Sequence, residues 1–166
     1  MKIEQIYTSC LAQGAYYIES NGEVAIIDPL RETQQYVDKA TVNNAKIKFI
    51  FETHIHADFV SCHVDLAKKT GATIVYGPTT MSTGFEKKVG HDGEVFTLGG
   101  STITLIHTPG HTMESSCYLL KDAEGKNHCV FTGDTLFVGD VGRPDLAQKG
   151  AEITMNDLAG MMYDSI

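Results

Sequence analysis

Three apolar, β-type runs in this chain each stop at a residue able to hold a metal. Lys48-Phe49-Ile50-Phe51 runs into Glu52-Thr53-His54-Ile55-His56-Ala57-Asp58-Phe59. Ser101 to His107 runs into Thr108-Pro109-Gly110-His111-Thr112, and Cys129-Val130-Phe131 into Thr132-Gly133-Asp134-Thr135-Leu136. Imidazole and carboxylate are the side chains that hold catalytic first-row metals, and strand ends are where a rigid scaffold exposes them. The Pro-Gly pair stops the second run and turns the backbone, so His111 is presented just past the turn. Two polar histidines in a loop are an ordinary sight, and any one of these segments is a weak signal. All three in this order are a strong one.

The rest of the pattern is strand-rich. Lys2 to Tyr7, Ala15 to Glu19 and Val24 to Asp28 read as a meander, with Asn21-Gly22 as the hairpin turn between the last two. Thr33 to Val42 and Ser61 to Lys69 read as helices, the second stopped by Gly71. Ala72 to Tyr76, Glu94 to Leu98, Thr102 to His107, Ser116 to Lys121 and His128 to Thr132 complete the strands, with a turn over Asp122 to Asn127. Gly77 to Gly93 reads as loop. Thr154 is placed to cap a last helix, with Asp157 at its third position. Pattern alone supports a single mixed α and β domain over residues 1–166, mostly antiparallel.

Composition narrows the functional classes. A formal net charge of −8 argues against a nucleic-acid surface or an anionic membrane as partner. No charged-then-apolar leader opens the chain, and nothing approaches the roughly 18 apolar residues of a membrane span. A cytoplasmic protein is the expectation. The cysteines Cys10, Cys62, Cys117 and Cys129 form no Cys-x-x-Cys pair, so reduced thiols are expected rather than a zinc knuckle or a redox pair.

His-x-His-x-Asp, Pro-Gly-His-Thr and Gly-Asp-Thr-Leu in this order resemble the metallo-β-lactamase superfamily. Thr53 to Ser61 and Gly139-Asp140-Val141-Gly142-Arg143-Pro144-Asp145-Leu146 look like its persulfide (sulfur) dioxygenase branch, and are most similar to the N-terminal part of bacterial persulfide dioxygenase–rhodanese fusions. The likeness runs from Ile3 to about Gly150. It implies an α/β (α+β) fold, the αββα sandwich in which helices cover two packed sheets. The family's sandwich continues past the point where this sequence stops, through another histidine-bearing loop. The chain is therefore expected to be the N-terminal portion of an incomplete domain. The apolar residues Ile153, Leu158, Met161 and Met162 of its last helix are then expected to be covered by another subunit, further chain or a swapped element.

Carried over residue by residue, the resemblance implies metal ligands at His54, His111 and Asp134. Two imidazoles and a carboxylate suit one non-haem Fe(II), with zinc as the alternative. The superfamily's two-metal pattern has a histidine where this chain has Phe59, so one metal per chain is expected. His56 and Asp58 become catalytic-site groups that orient ligands or a bound water. Arg143 is the candidate to neutralise an anionic substrate; its structural alternative is pairing with Asp140 or Asp145. The implied reaction is oxidation of a small-molecule thiol persulfide by O₂ to sulfite and thiol. A zinc thioester hydrolase of the glyoxalase II type and a non-catalytic metal-binding scaffold are the competing readings. A rhodanese domain or protein, or a second copy of the chain, are the macromolecular partners the resemblance allows.

Cys62 stands where the family usually has glycine, at a helix N-terminus that would lower its thiol pKa. It is either sulfur-handling or merely tolerated, and the second is preferred. His63 is expected to be exposed, His91 to cap a turn, and His107 and His128 to lie on strands, none binding metal. Tyr16, Tyr17, Phe49 and Phe51 fit core or pocket walls, with core favoured.

Overall fold

A computed structural model describes residues 1–147 and 152–166. The chain opens with three antiparallel-paired strands, β1 (Lys2–Thr8), β2 (Gln13–Ser20) and β3 (Glu23–Ile27). Asn21 and Gly22 join the last two with φ of 47° and 78°, the paired positive values that a two-residue hairpin needs to match strand twist. From β3 onward the same sheet turns parallel. Helix α1 (Gln34–Val42) leads to β4 (Lys46–Phe51), and α2 (His63–Thr70) leads to β5 (Thr73–Tyr76) and β6 (Lys88–Val89). Parallel neighbours require a crossover; α1 supplies it between β3 and β4, α2 between β4 and β5, and the loop over residues 77–87 between β5 and β6. The second sheet is antiparallel throughout: β7 (Val95–Leu98), β8 (Ser101–His107), β9 (Ser116–Lys121) and β10 (Asn127–Phe131). A short hairpin, β11 (Leu136–Phe137) and β12 (Asp140–Val141), precedes α3 (Met155–Ser165).

Period-two burial makes the six-stranded sheet apolar on both faces. Along β3, Val24 and Ile26 join Tyr17, Ile50 and Ile74 under Tyr36 and Ala40 of α1 and Leu66 of α2. Ala25 and Ile27 point the other way, to Phe51, Val75 and the inner face of the second sheet, where Leu105, Tyr118 and Phe131 lie. Phe51 sits at the centre of this second core, with Tyr118 at 4.7 Å and Phe96 at 5.2 Å between ring centroids. Edge and tilted ring packing adds to the area term at such contacts. The layers therefore run helix, sheet, sheet, three of the four layers of the expected αββα sandwich, with α3 docked at the loop after β8. Among the described residues no helix is long and apolar enough to cross a membrane.

Three local outcomes differ from the sequence reading. The parallel block β3–β4–β5–β6 is larger than "mostly antiparallel" implies. The 77–93 segment contains β6, and the β11–β12 hairpin was not foreseen, because two-residue strands carry no periodicity. Leu158 and Met162 of α3 are 0% and 4% exposed within the chain itself, so these two do not wait for a covering from outside. Thr154 and Asp157 form the reciprocal cap that starts this helix, and Ser165 donates to the Pro109 carbonyl at 2.8 Å near its end.

Candidate metal centre

His54 leaves the end of β4 in the first sheet, while His111 and Asp134 leave β8 and β10 in the second. The three loops meet at the same end of the sandwich. One ligand atom from each residue lies within 4.8 Å of the others. Asp134 Oδ2 is 3.5 Å from His111 Nε2 and 3.9 Å from His54 Nε2. These gaps are too long for good hydrogen bonds. They are close to the separation of about 3.0–3.4 Å between ligand atoms that share one ion at roughly 2.1 Å each. Both imidazoles are buried, at 4% and 7% exposure, and the carboxylate is half open. Burial and the nearby His56 charge hold His54 below the ordinary histidine range, which favours the neutral, ligating form. The donor set and its spacing fit a single first-row metal.

Each of the two imidazoles is aimed by its other ring nitrogen. His111 Nδ1 lies 3.0 Å from the Arg143 carbonyl. His54 Nδ1 lies 3.0 Å from the Thr53 hydroxyl, which in turn donates to Asp28 Oδ2 at 2.7 Å. The Thr53 amide donates to Asp28 Oδ1, also at 2.7 Å. The peptide after His54 is tied to the second sheet, because Ile55 N–H donates to the buried Glu114 carboxylate at 2.9 Å. Gly142 closes the arrangement: a Cβ there would stand 2.9 Å from His111 Cβ and would overlap the Asp134 carbonyl oxygen. Glycine here is what lets its own segment pass against the His111 and Asp134 loops.

His56 does not join the other three. Its Nε2 lies 3.0 Å from Asp28 Oδ1 and 3.3 Å from Glu52 Oε2, in a buried ion cluster directly beneath the ligand loop. Burial opposes the imidazolium, but the Asp28 and Glu52 carboxylates together outweigh it and push His56 up to about 10. Burial likewise works against the charge on Asp28, and His56 with the Thr53 amide holds that carboxyl below its usual range. Asp28, Glu52 and His56 have metal-ligand chemistry and close spacing of their own. Asp28 accepts from the Thr53 amide and hydroxyl, and the Ser61 hydroxyl donates to Glu52 Oε1 at 2.5 Å, while Glu52 Oε2 has no hydrogen-bond partner beyond its 3.3 Å ion contact with His56. Phe59 packs on the His56 ring, tilted, at 4.3 Å between centroids.

The remaining candidates fall apart from the centre. Asp58 is exposed and lines the cavities on either side of the site. The larger cavity, about 1080 Å³, has His54, His111 and Asp134 in its wall and Met81, Met113 and Leu146 among its apolar lining. The Arg143 guanidinium is 69% exposed and forked on Asp145 at 2.6 and 3.0 Å, the structural alternative, while its main chain does the work of orienting His111. Two expectations are corrected. His63 is not exposed on α2; its ring packs on Phe85 and lies 3.2 Å from Glu52. Cys62 is 3% exposed, and burial together with the Glu52 charge pushes its thiol up to about 12, so nearness to a helix start does not activate it.

Asp28, Glu52, Thr53 and Glu114 went unnoticed in the sequence. For the first two the signal was present: Asp28 ends the apolar run of β3 and Glu52 that of β4, as Asp134 follows β10. A carboxylate at the end of a strand is the pattern that marks Asp134 as well.

Comparison with known proteins agrees with this geometry. Hydroxyacylglutathione hydrolase cytoplasmic from Arabidopsis thaliana is 33% identical over 147 residues, covering 86% of this chain and 56% of the relative. Among solved structures, a metallo-beta-lactamase from Staphylococcus aureus subsp. aureus COL aligns over 99% of this chain and 50% of its own, at 34% identity and TM-score 0.88. ETHE1 from Myxococcus xanthus aligns over 99% of this chain and 68% of its own, at 27% identity and TM-score 0.81. The chain thus spans about half the length of the curated relative and of the Staphylococcus structure. Residues 9–162 match the family described as Metallo-beta-lactamase superfamily. With that match, the convergence of His54, His111 and Asp134 and the two-sheet core in agreement, the chain belongs to the metallo-beta-lactamase superfamily.

Proposed function

We propose that this chain carries the iron centre of a cytoplasmic persulfide dioxygenase. The observation that carries the reading is the single-metal geometry, with His54, His111 and Asp134 converging, His56 turned to Asp28 and Glu52, and Phe59 covering the neighbouring position. The likeness to ETHE1 from Myxococcus xanthus supports it, together with the resemblance of Thr53 to Ser61 and Gly139 to Leu146 to the persulfide dioxygenase branch. The overall conversion balances as R-S-SH + O₂ + H₂O → R-SH + sulfite + 2 H⁺, with the terminal sulfur oxidised and O₂ reduced. Fe(II) held by two imidazoles and a carboxylate would supply open positions for O₂ and that sulfur, and a path for the sulfur's electrons to O₂. His54 and His111 bind through Nε2 and, being buried, keep water from one side of the site. Asp134, half open, faces the large cavity. Met81 and Met113 give that cavity a soft apolar wall suited to a polarisable sulfur. The substrate is a low-molecular-weight thiol persulfide.

A second reading has a specific observation behind it. The 33% identical Arabidopsis relative is named a hydroxyacylglutathione hydrolase, and zinc fits the same three ligands. The Phe59 side chain weighs against it, since that chemistry draws on a second metal. Protein purified anaerobically, analysed for metal and given glutathione persulfide separates the readings. Oxygen uptake with stoichiometric sulfite supports the dioxygenase. Cleavage of a glutathione thioester without oxygen uptake overturns it in favour of the hydrolase, and bound metal with neither activity leaves a scaffold.

A further inference from the structure

We infer that Thr53 is a positioning residue that fixes the tautomer of His54, its hydroxyl proton committed to Asp28 so that the same oxygen must accept the Nδ1 proton of the ring. The inference rests on His54 being a metal ligand and not on which reaction the metal performs.

The argument is one of counting protons. A threonine hydroxyl has a single hydrogen and two lone pairs. Thr53 Oγ1 has two polar neighbours, Asp28 Oδ2 at 2.7 Å and His54 Nδ1 at 3.0 Å. Asp28 is buried and takes three further contacts on its other oxygen and its main chain: the Thr53 amide, His56 Nε2 and the Gln13 side-chain amide. A carboxylate surrounded by donors is an acceptor, so the hydroxyl proton points to Oδ2. Only a lone pair then remains for the imidazole, and Nδ1 must carry its hydrogen. A neutral imidazole has one N–H, which leaves Nε2 bare on the side of Asp134 and His111. An undirected ring would present Nε2 protonated for part of the time, in the form that cannot ligate.

Thr53 also sets the gap between the two sheets at this point. Gly133, one residue before Asp134 and at φ +50°, lies so close that a Cβ there would stand 2.6 Å from Thr53 Cβ and collide with the hydroxyl itself. The Thr53 carbonyl further accepts from Ser116 N–H of β9 at 2.8 Å. One side chain therefore touches the carboxylate that anchors it, the histidine it orients and the loop that delivers the third ligand.

Valine has the shape of threonine without the hydroxyl, and serine keeps the hydroxyl without the methyl. Histidine-labelled apoprotein, read by two-bond ¹H–¹⁵N correlation, reports the tautomer directly; anaerobic competition against a chelator reports Fe(II) affinity. The wild type should show His54 protonated at Nδ1. Thr53→Val should lose that single tautomer and bind Fe(II) about 10–100-fold more weakly, the range for partners of metal-bound histidines. Thr53→Ser should restore both. A wild-type ring protonated at Nε2, or a folded Thr53→Val protein with unchanged affinity, overturns the relay while leaving the metal centre intact. Full metal retention by His54→Ala overturns the centre and the relay with it. Should the valine variant fail to fold, the wild-type tautomer and the serine variant still decide.

Discussion

A single methyl group added at Gly142 should loosen the metal centre without replacing any ligand. The new Cβ would lie 2.9 Å from His111 Cβ and 3.0 Å from the Asp134 carbonyl carbon, and would overlap that residue's carbonyl oxygen. Carbon atoms rest at about 3.5–4.0 Å, so each neighbour must retreat by roughly 0.5 Å or more. The neighbours are backbone and ligand atoms rather than a flexible side-chain tip. Moving them also disturbs the Arg143 carbonyl, one residue on, that receives His111 Nδ1. Overpacking of this kind costs about 1–3 kcal/mol, and a ligand set tolerates only about 0.5 Å of error. If the strain is relieved when the loops part, the metal-bound form carries it, and about 1–3 kcal/mol becomes a loss of roughly 5- to 150-fold in Fe(II) affinity. Anaerobic chelator competition measures this, with the melting temperature of the apoprotein as companion. Gly160→Ala is the control: it lies on α3 with open space around it, so it should stabilise by about 0.5–1 kcal/mol and leave affinity alone. A Gly142→Ala protein that binds Fe(II) as the wild type does would refute the reasoning.

Elemental analysis should find one metal per chain, lost in His54→Ala and Asp134→Ala; two per chain would contradict the role given to Phe59. His56→Ala should keep its metal ligands and yet lower the urea midpoint by the equivalent of about 3–5 kcal/mol, because it strips the counter-charge from the buried Asp28 and Glu52 carboxylates. An unchanged midpoint would mean the cluster is not ionic. Thiol alkylation at pH 8 should label the exposed Cys10 readily and Cys62 only after unfolding, since the Cys62 thiol, pushed up to about 12, stays protonated through that range; labelling of native Cys62 at a comparable rate would show it activated. Leu158→Ala should destabilise by about 2–5 kcal/mol if α3 is docked as described, and a neutral result in denaturant unfolding would show that it is not.

Much of the architecture was legible because period-two burial and turn chemistry act locally. Asn21-Gly22, the Gly71 helix stop and the Thr154 cap each declare themselves within four residues. The convergence of His54, His111 and Asp134 was legible for a related reason: each sits directly after a strand. What the sequence hid is pairing at a distance. Nothing near His56 announces that Asp28, almost thirty residues earlier, will claim its ring, and nothing near Arg143 says that its carbonyl matters more to His111 than its guanidinium. Cys62 shows the limit of local electrostatics, since a helix start predicts an acidic thiol and burial beside Glu52 reverses it. The parallel strands were missed because strands buried on both faces lose the alternation by which they are recognised.

The ligands come from opposite sheets, His54 from the first and His111 and Asp134 from the second. An ion held by all three therefore acts as a clasp across the seam of the sandwich. Whatever free energy it gains on binding belongs to the closed arrangement and not to the parted one, about 2.7 kcal/mol at a hundredfold excess over Kd. Metal supply would then govern how tightly the two sheets stay shut. The coupling runs in both directions. A change in the seam at Phe51 or Phe96, which ligate nothing, should register first as weaker hold on the metal, and a cell short of that metal should find this protein easier to prise open.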